Sequence, residues 1–157
     1  MYFLGLMKDY HEEDDLTCWM HRVTSSDFTD ASKYIMHDVN DRLFPQLVNG
    51  GTEDPFVYRD CNGYYHSIFH NMSPQDDQTY CGGHAYSEDG VTWIYAGVSY
   101  SNTVVFDDGT QETFPRRERP HLIFDDDGCT PIALTNGLNY GGKYGDATYT
   151  LLQPIAH

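Results

Sequence analysis

Positive charge is what this sequence has least of. Nine Lys and Arg stand against 24 Asp and Glu in 157 residues, for a formal net charge of -15. Such a chain repels a phosphate backbone, so nucleic acid is excluded as an expected partner, and an anionic membrane surface is disfavoured for the same reason. A neutral ligand such as a sugar is compatible with this charge. Cysteine is also scarce. Cys18, Cys61, Cys81 and Cys129 form no CxxC pair, which argues against a zinc ribbon or a thioredoxin motif. Free buried thiols and one or two bridges both stay open, and the redox compartment with them. Long apolar runs are missing. Met1 to Met7 is apolar but short, lacks a basic leader and runs straight into Lys8-Asp9, so it reads neither as a signal peptide nor as a membrane span. Localisation is therefore unassigned, and secretion follows only if a signal peptide lies upstream. No His-x-x-His, His-Glu-x-x-His, calcium-loop, Gly-x-Ser-x-Gly, P-loop or dinucleotide spacing occurs, so no metal site and no cofactor is expected.

Aromatic residues, by contrast, are abundant: 13 Tyr, 8 Phe and 2 Trp. They suit half-buried strands, and the polar tips of Tyr and Trp also suit wet, sugar-like surfaces. Short apolar runs at Phe56 to Tyr58, Tyr64 to Phe69, Trp93 to Tyr95, Leu122 to Phe124, Ile132 to Leu134 and Tyr149 to Leu152 predict strands. Between them, Asp60-Cys61-Asn62-Gly63, Glu88-Asp89-Gly90, Asp107-Asp108-Gly109 and Asp125-Asp126-Asp127-Gly128 supply the positive φ of tight turns. Only Asp30 to Arg42 tolerates a helix. Ser99 to Phe114 reads as a long loop.

An internal repeat organises these pieces. Glu53-Asp54-Pro55-Phe56-Val57-Tyr58-Arg59-Asp60 to Gly63 matches Glu118-Arg119-Pro120-His121-Leu122-Ile123-Phe124-Asp125 to Gly128 at a constant offset of 65, which extends to Asn71 and Asn136. A weaker match, at offsets of 61 to 63, relates His21, Ser25, Asp27, Thr29 and Tyr34 to His84, Ser87, Asp89, Thr92 and Tyr95. Repeats of short strands at this spacing fit propeller blades, although the period exceeds the roughly 40–50 residues of common propeller repeats. The expected fold is all-β: a single propeller-like domain over 1–157, with repeat units near 1–50, 51–115 and 116–157. A two-sheet sandwich is the alternative. About two and a half to three blades fit in the chain, whereas closure takes at least about four, so the domain reads as partial.

A carboxylate opens each repeat, at Glu53-Asp54 and at Glu118. In a propeller the first strand of every blade lines the central channel, so these acids would converge there. Glycoside hydrolysis needs such a pair: one protonated acid at the leaving oxygen and one ionised group near the anomeric carbon or its water. A solvated turn before a strand is the plain alternative for Glu53 and Asp54, and a surface salt-bridge cluster for Glu118. Arg116, Arg117 and Arg119 crowd Glu118. A neighbouring Arg favours the ionised form, so the acid must be flanked, not paired, if it is to donate a proton. His66, His70 and His84 fall in one unit, where a His could bind substrate or a metal's water. Ser87-Glu88-Asp89-Gly90-Val91-Thr92-Trp93 resembles the Asp-box of sialidases, one residue short, and reads as structural.

Four pieces, Gly50-Gly51-Thr52-Glu53-Asp54-Pro55-Phe56, Gly82-Gly83-His84-Ala85-Tyr86-Ser87, Asp89-Gly90-Val91-Thr92-Trp93 and Arg117-Glu118-Arg119-Pro120, together resemble the five-bladed β-propeller glycoside hydrolases of the family 43 type, with family 32 fructosidases more distant. The resemblance covers roughly residues 43 to 137. It implies a glycosidase acting on pentose- or fructose-containing oligo- or polysaccharides, with catalytic Glu118 as general acid and Asp54 tuning its proton affinity. His84, Arg117, Glu53 and Trp93 are then the substrate-binding candidates. The family's base should open the preceding blade, whose end would hold Trp19, Ser25 and Asp27. Asp9 is its only and weak counterpart. Tyr149 to Pro154 resembles a closing strand, which places any missing part before residue 1. A non-catalytic sugar-binding propeller is the rival reading, and a bare interaction scaffold the third.

Overall fold

A computed structural model of the chain describes residues 2–8, 18–37, 43–44, 47, 51–72, 81–139 and 148–155. The described residues are all-β, in several antiparallel sheets. β1 (Tyr2–Lys8), β2 (Cys18–Ser25) and β3 (Tyr34–His37) form the first sheet in chain order. β4 (Thr52–Arg59), β5 (Tyr65–Asn71), β6 (Cys81–Ser87) and β7 (Ile94–Tyr100) form the second. A two-stranded ribbon follows, β8 (Thr103–Val105) with β9 (Gln111–Thr113). β10 (Arg116–Phe124), β11 (Pro131–Asn139) and β12 (Thr148–Pro154) make the third sheet. Among the described residues no helix is long and apolar enough to cross a membrane.

The sequence repeat is a repeat of sheets. An offset of 65 carries β4, β5 and β6 onto β10, β11 and β12, and an offset of 63 carries β5, β6 and β7 onto β1, β2 and β3. The fine detail repeats too. In β4 the ladder slips between Glu53 and Phe56, and in β10 between Glu118 and His121, so Asp54-Pro55 and Arg119-Pro120 each form a bulge. Proline has no N–H to give the ladder, and a bulge is one of the few strand positions that tolerate it. The residue before it turns left-handed, with φ of 53° at Asp54 and 51° at Arg119.

The turns follow local chemistry. Gly63, Gly90, Gly109 and Gly128 take the positive φ expected of them, 92°, 72°, 81° and 71°. Asp89 accepts from the backbone N–H groups of Val91 and Thr92 and from the Ser87 hydroxyl, while Trp93 Nε1 donates to the Gly90 carbonyl. These bonds favour the ionised form and bring the Asp89 carboxyl down to about 2. Asp27, with Ser25 and Thr29, caps the β2–β3 turn in a related way.

Two expectations need correction. The region from Asp30 is not a helix: Asp30 caps one 3₁₀ turn, Ala31–Lys33, and the chain then extends as β3. Tyr34, Ile35 and Met36 are all exposed, so this stretch has no buried apolar stripe to hold a helix onto a core. Residues 38–42 lie outside the described residues. The stretch from Ser99 to Phe114 is no simple loop either, because it contains the β8–β9 ribbon. Val104 and Phe114 pin that ribbon to Leu138 of β11.

β5, an inner strand of the second sheet, is buried on both faces. Phe69 of β5 packs with Met20, Phe44, Leu47 and Ala85 on one side. Its neighbour Ile68 packs with Tyr100, Leu122 and Leu134 on the other. Successive strand residues point to opposite faces, so β5 supplies both cores. Each fully buried large apolar side chain contributes roughly 1.5–3 kcal/mol. Gly82 and Gly83 make this packing possible. A Cβ on Gly82 would lie 2.1 Å from the Tyr100 ring, and one on Gly83 would lie 2.3 Å from the Phe69 ring. A disulfide between Cys61 and Cys129, with Cα atoms 5.1 Å apart, joins the β4–β5 turn to the β10–β11 turn. Cys18 and Cys81 are the first residues of β2 and β6.

Candidate functional site

β10 packs against β4 and β5, and the two bulges bring the opening acids of the repeats together. Glu53 is paired across the ladder with His70, and its Oε1 lies 3.1 Å from His70 Nδ1. His70 is fully buried. Glu118, 4% exposed, reaches the same place from β10. The ligating atoms of Glu53, His70 and Glu118 lie within 4.8 Å of one another. Asp54 completes the group. Its Oδ2 is buried without a hydrogen-bond partner. Burial, and next the charge of Glu53, push its carboxyl above the ordinary carboxylate range; Arg119 and His70 oppose this, and Glu118 adds to it.

Glu118 is held differently. Arg116 donates to its Oε1 through both Nε and a terminal nitrogen. Arg119 approaches its Oε2 at 3.4 Å. Arg116 and Glu118 are two apart in a strand and so share a face. Glu118 is thus paired, not merely flanked. The condition for it to donate a proton is unmet in this arrangement, and Asp54 is the acid whose surroundings favour holding one. Glu53, His70 and Glu118 are compact enough to hold a cation, yet both Glu118 oxygens already face guanidinium groups.

The other candidates lie elsewhere. Arg117 points to the opposite face of β10 from Glu118 and is buried between the second and third sheets. Its Nε donates to Asn136 Oδ1 at 2.9 Å, and its terminal nitrogens donate to the Ser101 carbonyl at 2.9 Å and to Gln153 Oε1 at 2.7 Å. His84, in β6, stacks on His66 and meets it through Nε2 at 3.0 Å. Burial, and then His66, lower its proton affinity. Both Arg117 and His84 line an inter-sheet cavity that the acids do not line. Trp93 sits beside Ile94, which pairs with Tyr86 at the turn end of the sheet, and packs into the core of the first and second sheets. The structure therefore brings Glu53, Asp54 and Glu118 together and leaves His84, Arg117 and Trp93 apart from them. Asp9 lies outside the described residues.

Sequence reasoning missed the role of His70 in this cluster, whereas the pairing of Glu118 with Arg116 and Arg119 is its salt-bridge alternative, buried at Glu118 rather than on the surface. The signal for His70 was its ladder position: counted from the hairpin turn at Asp60 to Gly63, regular pairing sets it opposite Asp54, and the one-residue bulge moves it opposite Glu53. For the two arginines it was alternation about Glu118, offset on one side by the bulge. No protein-family model, curated protein or solved structure matches the chain.

Proposed function

We propose that the Glu53, Asp54 and Glu118 cluster is a glycoside-hydrolase site, carried on a β-propeller of the five-bladed type and acting on pentose- or fructose-containing glycans. One observation carries this reading. Equivalent starts of the first strands of two neighbouring repeats put Asp54 and Glu118 into one electrostatically coupled group. Two carboxylates in unlike surroundings are what acid and base roles require. Asp54, half-buried and raised, is the proton-holding acid. Glu118, fixed by Arg116 and Arg119, supplies negative charge beside a developing oxocarbenium ion. This exchanges the roles that the family resemblance implies, and it follows from which acid is ion-paired.

A non-catalytic sugar-binding propeller is the second reading, and the closed Glu118 ion pairs favour it. The test is release of nitrophenol from nitrophenyl arabinofuranosides and xylosides, and of hexose from fructosides, by wild type, Asp54→Asn and Glu118→Gln. The hydrolase reading expects each variant to lose about 100-fold or more. The acidity assignment expects the limb of the rate profile that falls toward high pH to vanish in Asp54→Asn. Binding of arabino- or fructo-oligosaccharides with no turnover by wild type supports the binding reading. Neither binding nor turnover would sink both.

A further inference from the structure

The second and third sheets flank an open cavity of about 650 Å³ that the acids do not line. Ile68, Leu122, Leu134 and Ile155 give it an apolar wall, and Tyr58, Tyr100 and His84 contribute rings. Its one charged wall residue is Arg117. Arg117 as a residue is only 2% exposed. Its three hydrogen bonds go to an amide oxygen of Asn136, a backbone carbonyl and an amide oxygen of Gln153, all neutral. It also lies over the Tyr100 ring at 4.8 Å. Each terminal nitrogen keeps a second N–H beyond these bonds. No carboxylate among the described residues pairs with it: Glu118, the next residue, turns to the opposite face and is taken by Arg116 and Arg119.

A buried cation held only by neutral dipoles is unfavourable unless a counter-charge arrives. A planar fork with N–H groups to spare matches a carboxylate. The volume lies within the range of sites for ligands of drug size, about 300–1,000 Å³. Burial and His66 disfavour a charge on His84, so the wall offers one positive charge and suits a monoanion better than a phosphate. We propose that this cavity is a binding site for a small organic monocarboxylate, its carboxylate on Arg117 and its ring against the apolar wall. The proposal does not rest on the hydrolase reading. The carboxylate belongs either to an aromatic acid or to a sugar acid; both present the same group to Arg117.

Calorimetric titration of the whole chain with benzoate, glucuronate and benzamide tests it. At least one of the two acids should bind, and benzamide, which keeps the ring and loses the charge, should bind about tenfold more weakly than benzoate or not at all. Tighter binding of glucuronate identifies a sugar acid, and tighter binding of benzoate an aromatic one. Ile155→Trp narrows the apolar wall and leaves Arg117 in place, so it should weaken the bound acid about tenfold or more. Arg117→Gln should abolish binding of either acid, and Ile155→Trp keeps the test valid if that variant fails to fold. Benzamide binding as well as benzoate, no binding of either acid at about 10 mM, or unchanged binding in Ile155→Trp would each overturn the proposal.

Discussion

Asp54 and Arg119 occupy the same place in two hairpins: each follows a Glu, precedes a Pro, and holds a left-handed backbone, at φ 53° and 51°. The conformation costs an ordinary side chain roughly 1–2 kcal/mol, and more for a β-branched one. Arg119 allows this to be isolated, because its side chain is 73% exposed. Arg119→Gly and Arg119→Val both remove the contact with Glu118, so their difference reports the backbone alone. Arg119→Val should be the less stable by about 1–2 kcal/mol in urea denaturation. Equal stabilities would mean that the bulge is not formed.

Asp54 makes stability depend on pH with an unusual sign. Its folded carboxyl is raised above the ordinary value of 3.8, so the folded state binds the proton more tightly than the unfolded chain. Stability is then highest below 3.8 and falls as pH rises through the folded value. Asp54→Asn abolishes this dependence. It should be more stable than wild type at neutral pH, with the two curves converging in acid. Chemical denaturation across pH measures it, and a variant less stable at neutral pH contradicts the burial of this charge.

Gly83 is held small by one ring. A Cβ there meets Phe69 at 2.3 Å, and Phe69 stacks on Phe44 with ring centres 5.0 Å apart. Gly83→Ala should destabilise by about 1–3 kcal/mol through overpacking. Phe69→Leu should recover part of that loss when combined with it, because the two residues share one space. Additive losses in the thermal unfolding of the double variant would show that the contact is not the cause.

The Cys61–Cys129 bridge spans a sequence separation of 68. Chain-entropy reasoning gives such a loop about 4 kcal/mol of stabilisation. Paired Cys61→Ser and Cys129→Ser substitutions, or a reductant, should lower the melting temperature accordingly. An unchanged melting temperature in reductant would mean that the two turns are not covalently joined.

Much of the fold was legible because its signals are local. Gly63, Gly90, Gly109 and Gly128 mark turns whose backbone only glycine adopts cheaply, and the Glu-x-Pro repeat carries a bulge whose proline, with its missing N–H, is written in the sequence. The convergence of Glu53, Asp54 and Glu118 followed from that same regularity. What was not legible depends on distant partners. Four cysteines permit several pairings, and only the juxtaposition of two turns selects Cys61 with Cys129. Arg117 and Glu118 are neighbours in sequence, yet strand alternation sends one into a cavity and the other into the acid cluster. Trp93 belongs to the turn geometry around Asp89 rather than to either site. The segment after Asp30 is helix-tolerant in sequence, but as an exposed stretch with a strand partner it extends instead.

The placement of Ile68 and Phe69 bears on how the chain reaches its native state. One strand joins cores built from Met20 on one side and from Leu122 and Leu134 on the other. Its partners are separated along the chain by more than the length of a sheet. Assembly by way of such non-local contacts is slow, and during synthesis one flank of β5 stays wet until Leu134 has left the ribosome. The nascent protein therefore exposes Ile68 on one flank of β5 until its partners in the third sheet have been made.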